Sequence, residues 1–326
     1  MKRPRTVLWL TGVICLLAGF AFGVWVGDSR GLPFTTLRRR WSIGIVTGDS
    51  PVTLTGAAAP SNPVLSAADV TDVPARFLAD PFMVREGDAW HMFFEVLNDR
   101  TGQGDIGLAT SPDGREWSYR QIVLDEPFHV SFPCVFKWDG TYYMVPESHL
   151  DKSVRLYRAD PFPTRWTYVK DLLTGRNFSD PSVFRHGGRW WLFVETNPHA
   201  DDTLRLYHAG ELTGPWVEHP KSPVTRENAQ IARPAGRVVT WRGHLVRFAQ
   251  DCWPRYGTHV RAFEILKLSA TDYEERPLGD GPILGPGPAR WNGTGMHHVD
   301  AHEIAPNRWI ACVDAQGYWR LFGLEY

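Results

Sequence analysis

Along residues 75–326, short runs of β-branched and aromatic residues alternate with polar ones and are broken by Gly and Asp, the two-residue period of half-buried strands. Three stretches share one layout: "ADPFMVREGDAWHMFFE", "SFPCVFKWDGTYYMVPE" and "SDPSVFRHGGRWWLFVE". Asp80 to Glu95, Phe132 to Glu147 and Asp180 to Glu195 are each fifteen residues apart. The midpoints fall between Gly87 and Asp88, Asp139 and Gly140, and Gly187 and Gly188. Such pairs supply the positive φ that two-residue hairpins need, so three β-hairpins are predicted. Hairpins centred there set Asp80 opposite Glu95, Phe132 opposite Glu147 and Asp180 opposite Glu195 as direct cross-strand neighbours.

Two weaker copies extend the series. "ARPAGRVVTWRGHLVRFAQD" places Arg233 where Asp stood and Gln250 where Glu stood, and "HVDAHEIAPNRWIACVD" runs fifteen residues from Val299 to Asp314. Pro81, Pro133, Pro181 and Pro234 mark copies at spacings of 52, 48 and 53. Further strand-like runs lie between the hairpins, giving about four strands per unit. Five such units predict an all-β fold, a five-bladed β-propeller of antiparallel blades. The last copy is followed by too little chain to finish a blade, and "WSIGIVTGDS" (41–50), which resembles "DIGLATSPDG", is expected to supply the missing strand. Residues 51–75 would then form a surface connection.

The N-terminus departs from this pattern. Behind Lys2, Arg3 and Arg5, an uncharged run of 22 residues extends from Thr6 to Gly27. A spanning helix needs roughly 20 residues and a signal-peptide core about 7 to 15, so the length predicts an uncleaved hydrophobic helix. A cut after Gly23, with Ala21 at −3, is the secreted or periplasmic alternative. Basic residues on both sides leave the positive-inside rule undecided. The signal-anchor layout puts the propeller outside the cytoplasm. Residues 1–40 are therefore read as anchor or signal peptide with linker, and 41–326 as the propeller.

Charge narrows the partners. With 35 basic and 36 acidic residues in 326, no long-range field favours nucleic acid. Fifteen Trp and ten Tyr suit both β packing and sugar stacking. Cys134, Cys252 and Cys312 have no metal-type spacing and are expected as buried thiols. With no phosphate loop or nucleotide-sugar motif either, no cofactor and no metal are expected.

Two opposed carboxyl pairs at equivalent places would repel. That points to an acidic channel mouth where neighbouring carboxyls push each other's pKa values apart, as glycosidic bond cleavage requires. The alternative is that each carboxylate pairs with strand-end amides or with a neighbouring Arg such as Arg233. Arg233 also suits an anionic group on a glycan. "QDCWPRYG" offers Asp251, Trp253 and Tyr256 as rim residues, and "MHHVDAH" offers His297, His298 and Asp300. Adjacent His residues on a strand face opposite ways, so one of the two is expected at the channel.

"ADPFMVREGDAWHMFFE", "SPDGREW" and "SDPSVF" resemble the five-bladed propellers of the arabinanase, invertase and levansucrase superfamily, including glycoside hydrolase family 43. "FPCVFKWDGTYYMVPES", "ARPAGR", "RFAQDCWPRYG" and "WNGTGMHHVDAH" are similar to the N-terminal propeller domain of plant glucosamine inositolphosphorylceramide transferases and its stand-alone bacterial relatives, over about residues 41–326. In the plant proteins a separate glycosyltransferase domain follows. This sequence does not include such a domain, so the transfer activity is not expected to carry over from the resemblance. The hydrolase resemblance implies Asp80 as base and Asp180 as the residue tuning the acid's pKa. It puts the acid where Arg233 stands, which leaves Glu147 or Glu195 to replace it. The resulting expectation is a glycan-active protein using Asp80, Asp180, Glu147 and Glu195, with Glu95, Arg233 and the rim residues binding substrate. A non-catalytic carbohydrate-binding or scaffold propeller is the rival.

Overall fold

The computed structural model describes residues 13–23, 35–57 and 62–322. Its contacts divide the chain into a unit from Trp41 to Gly317 and a second made of Met1–Arg40 with Tyr318–Tyr326. Residues 13–23 are helical. The anchor expected over residues 6–27 lies partly outside the described residues, and among those described no helix is long and apolar enough to cross a membrane.

Five four-stranded antiparallel sheets follow one another along the chain. Blade one is Ala75–Glu86, Ala89–Asn98, Gly104–Ser111 and Ser118–Leu124; blade two is Ser131–Trp138, Thr141–Ser148, Ser153–Ala159 and Trp166–Thr174. Blade three is Ser179–His186, Arg189–Glu195, Leu204–Ala209 and Val217–Glu218; blade four is Val239–Trp241, His244–Asp251, His259–Leu268 and Tyr273–Pro277. The fifth sheet orders Val299–Ala305, Arg308–Phe322, Thr35–Gly48 and Gly56–Ala57, so its strands come from both ends of the chain. The fold is the five-bladed β-propeller the repeat predicts. Residues 51–75 are more than a surface connection, however. Leu54 and Leu65 are buried, Gly56–Ala57 is the fourth strand of the last blade, and Leu65 bridges Ile43.

The hairpin turns fall where the Gly and Asp pairs place them, with Glu86 opposite Ala89, Trp138 opposite Thr141 and His186 opposite Arg189. Register then slips by one residue toward the other end. Glu95 opposes Ala79, Glu147 opposes Ser131 and Glu195 opposes Ser179, so the expected pairing of these glutamates with Asp80, Phe132 and Asp180 does not form. The cause is the proline after each of those residues. Pro81, Pro133 and Pro181 have no N–H for the ladder and bar the preceding residue from the right-handed helical region. Asp80, Phe132 and Asp180 instead take φ of 52°, 44° and 51°, the extra residue of a β-bulge. Asp tolerates that left-handed region; Phe132, lacking a polar side chain, is strained there. Each bulge turns its residue out of the ladder at the channel end of the innermost strand.

Blades pack through apolar faces. Phe82, Phe132, Met144 and Leu192 belong to a cluster that joins blades one, two and three, and Val246, Val299 and Val313 to one that joins blades four and five. Cys134, Cys252 and Cys312 are free and buried.

Candidate functional site

The bulges place charged groups at one end of the channel, and neighbouring blades hold them there. The Asp80 N–H donates to Asp314 Oδ2 at 3.0 Å, and the Asp180 N–H donates to Glu147 Oε2 at 2.9 Å. The carboxylate that ends a copy thus has a structural task at two of the blade junctions, receiving the bulge amide of the next blade. Asp314 performs it between blades five and one, Glu147 between blades two and three. Gln250, in the corresponding place in blade four, donates to Asp180 Oδ2 at 2.6 Å and to the Pro234 carbonyl at 2.9 Å.

Arg233 is the hub of the cluster. Its Nε donates to Asp180 Oδ2 at 2.6 Å, its Nη1 to Asp201 Oδ1 at 2.8 Å, and its Nη2 lies 3.5 Å from Glu147 Oε2. Its guanidinium also sits 5.0 Å from the centre of the Tyr256 ring. Three carboxylates and an aromatic face occupy the cation, so it has no spare charge for the anionic ligand the sequence suggested. Removing it would leave buried carboxylates uncompensated. Arg233→Ala should cost about 3–5 kcal/mol in urea unfolding at pH 7. The deficit should shrink at pH 5, where the freed carboxyls take up protons.

The histidines surround Asp80. His297 Nδ1 lies 2.7 Å from Asp314 Oδ1, and Asp80 Oδ1 is 3.8 Å from both His297 Nε2 and His298 Nδ1. Both histidines come near Asp80 because both precede the strand that begins at Val299, outside its alternation; the His298 ring also packs edge-on to Phe82 and Phe132. Asp80 Oδ1 accepts no hydrogen bond among the described residues. Asp80, His297 and Asp314 present ligand-type atoms within 4.8 Å of one another, a spacing a cation could bridge.

Electrostatics sorts the carboxyls. Burial pushes Asp80 up to about 7, with His297 opposing and Asp314 and Glu147 adding to the rise. Burial and the neighbouring Asp80 raise Glu95 well above the usual carboxyl range. Asp180 is raised by burial against the pull of Arg233. Glu195, fully buried, is pushed by burial up to about 7, although it accepts the Asn197 N–H. Burial would raise Glu147 too, but a 2.7 Å contact with His149 Nδ1, together with Arg233, holds it well below the usual range. Asp314 is likewise held low against burial by His297. One end of the channel therefore combines carboxyls that keep their protons with carboxylates that do not.

Other expected site residues have structural partners. Asp251 is paired with Arg261 at 2.8 Å and accepts the Trp253 N–H at 3.1 Å, tying down the loop after it. Asp300 binds Arg237 Nε at 2.7 Å and His302 Nε2 at 2.9 Å and accepts the Met83 N–H at 2.8 Å, a lock between blades five and one. Tyr256 packs edge-on to His297 with ring centres 5.1 Å apart, while Trp253 stands exposed. Sequence reasoning missed Asp314, Gln250, His149 and Asp201. The first two did carry a signal, since both end repeat copies.

Comparison with known proteins agrees with this architecture. The catalytic domain of a Coprinopsis cinerea GH62 α-L-arabinofuranosidase superposes with a TM-score of 0.58 at 13% identity, covering 85% of this chain and 96% of that one. A Cellvibrio cellulosa α-L-arabinanase gives 0.54 at 19% identity, covering 75% and 91%. At these identities the likeness concerns the fold alone. Glucosamine inositolphosphorylceramide transferase 1 of Oryza sativa subsp. japonica is 37% identical over 299 residues, covering 84% of this chain, and that of Arabidopsis thaliana 35% over 329 residues, covering 93%. The chain spans 40% and 43% of the lengths of these two relatives. The family model for glucosamine inositolphosphorylceramide transferase 1, N-terminal, matches residues 37–316, and the chain belongs to that family.

Proposed function

We propose that this propeller acts on a glycan, cleaving or transferring a glycosidic bond at the carboxyl-lined end of its channel. The observation that carries this reading is Asp80: a buried carboxyl pushed up to about 7, with an oxygen that accepts no hydrogen bond among the described residues, beside carboxylates held ionised. A group titrating near working pH moves protons efficiently in either direction. Asp80 acts as the base. Glu147 is a poor proton donor because it stays ionised, and Glu195 is sealed from solvent. Glu95, protonated and in the same hairpin as Asp80, is the donor this reading favours, with Asp180 and Arg233 fixing the charge around it.

The relatives' name joins glucosamine to an inositolphosphorylceramide. An acidic site whose central arginine, Arg233, is paired with three acidic side chains suits an amino sugar better than a sulfated or uronic one. The glycan class proposed is therefore an amino-sugar glycoconjugate. A membrane anchor at residues 6–27, with the propeller outside the cytoplasm, fits such a partner, and a secreted or periplasmic form is the alternative.

The test is a panel of glucosaminyl and neutral oligosaccharides read for both binding and product release. Turnover of a glucosaminyl member is expected, and binding without product would favour the non-catalytic module. That rival draws on one observation, Arg233 standing where the resembling hydrolases have their acid. The pH profile then checks the base. Because Asp80 must be ionised, kcat/KM should rise with pH through about 7. A profile that falls through that region would make Asp80 the acid.

A further inference from the structure

We infer that His129 is a positioning residue for Glu95, the proposed proton donor: its Nε2–H receives the negative charge that Glu95 acquires on giving its proton to the glycosidic oxygen. This rests on the glycan reading. His129 lies in the loop between Ser118–Leu124 and Ser131–Trp138, at the junction of blades one and two. Its Nδ1 accepts the Gly104 N–H at 2.9 Å, and the Gly104 carbonyl accepts the Val130 N–H at 3.0 Å. A ring nitrogen that accepts a hydrogen bond carries no proton, so the neutral imidazole is held as the Nε2–H tautomer. That nitrogen lies 3.6 Å from Glu95 Oε1. A Cβ on Gly104 would come within 2.9 Å of His129 Cε1 and 3.0 Å of Glu95 Oε1, so only glycine lets ring and carboxyl approach across this position.

While Glu95 holds its proton, 3.6 Å is too long for a hydrogen bond. Ionisation changes that. As the glycosidic bond breaks, the Glu95 proton goes to the leaving oxygen, and the anomeric carbon takes the oxygen of water or of an acceptor hydroxyl deprotonated by Asp80. The electron pair stays on Glu95, and the Nε2–H closes on the new carboxylate in a charge-assisted bond. His129 keeps its own proton throughout. Protonating Nδ1 would break the Gly104 bond and set a second cation beside His149, whose ring centre is 6.1 Å away and whose proton Glu147 stabilises. The surroundings act in the same sense. Burial holds His129 below the ordinary imidazole range, with Glu147 opposing and His149 and Arg233 adding to the fall. Burial also raises Glu95, with Asp80, Glu147 and Asp314 adding to the rise and Arg233 opposing it.

Two substitutions in the full chain separate this role from a purely structural one. His129→Asn keeps an acceptor at the reach of Nδ1 for the Gly104 N–H and loses the donor at the reach of Nε2; His129→Gln does the reverse. The Glu95 titration would be read by carbon NMR of its side-chain carboxyl, assigned with Glu95→Gln. In His129→Asn the ionised form lacks its donor, so the midpoint should rise by about one pH unit or more; in His129→Gln it should stay near the parent's. On the glucosaminyl oligosaccharides, kcat should fall about 10- to 100-fold in His129→Asn with KM within a few-fold. The alkaline limb of kcat/KM, where Glu95 loses its proton, should move to higher pH in that variant. His129→Gln should restore both to near the parent. An unmoved Glu95 titration in His129→Asn, or a larger loss in His129→Gln than in His129→Asn, would overturn the inference and leave His129 as a tie to Gly104. Loss of folding in His129→Asn, which keeps that tie, would do the same. Turnover with an unmoved titration keeps the glycan reading and removes His129 from it. A moved titration with no glycan bound or turned over keeps the His129–Glu95 pair and removes the reading it rests on.

Discussion

Asp80→Asn should lower turnover of a glycan substrate by about 10²- to 10⁴-fold while leaving affinity within a few-fold, because it removes the ionisable base and little else. The substitution is conservative where the fold is concerned. Asn tolerates the left-handed conformation of the bulge, and the bond to Asp314 uses the backbone N–H, which is retained. Stability offers an independent check. A carboxyl at about 7 in the fold and near 3.9 unfolded binds its proton more tightly when folded. Its stabilising contribution is therefore present below about 4 and is lost as pH rises toward 7. The Asn variant should lack that part of the pH dependence, giving a flatter plot of unfolding midpoint against pH. Full activity in Asp80→Asn would show the assigned base to be wrong.

Deleting residues 1–60 should abolish stable folding. It strips Thr35–Gly48 and Gly56–Ala57 from the last blade, and with them the fully buried Ile43 and Ile45 and the nearly buried Leu54. At about 1.5–3 kcal/mol each, these three side chains contribute roughly 5–9 kcal/mol as an upper estimate. Typical domain stability is only about 5–15 kcal/mol. The strand left behind, Arg308–Phe322, would also expose its edge. Insoluble protein, or a greatly lowered thermal midpoint in circular dichroism, is expected. A soluble truncated chain melting like the parent would refute this account of how the ring is held.

The repeat was legible because hairpin chemistry is local. Gly87–Asp88, Asp139–Gly140 and Gly187–Gly188 fix their turns within a few residues, whatever the rest of the chain does. The bulges were legible in principle. Pro81, Pro133 and Pro181 were read as markers of the repeat, but a proline inside a strand also breaks the ladder, and that second meaning displaces the pairing by one residue. The site was legible in its members and not in its partnerships. Asp80 and Asp314 are joined across 234 residues, and Glu147 and Asp180 across 33, by bonds between blades that no local pattern encodes. Arg233 stood out as a departure from the hydrolase pattern, but its saturation by Asp180, Glu147 and Asp201 arises only when strands of two blades and the loop carrying Asp201 converge.

The mixed origin of the last blade also bears on biosynthesis. The strand Thr35–Gly48 finds its local partner Gly56–Ala57 almost at once, but its other neighbour, Arg308–Phe322, begins about 260 residues later. At about 5–20 residues per second, the ribosome needs roughly 13–52 s to deliver it. Throughout that interval the nascent chain carries an incomplete ring whose first strand has an unsatisfied edge. The last event in its maturation is the meeting of its earliest and latest strands, and a chaperone that shields a β edge would act in that window.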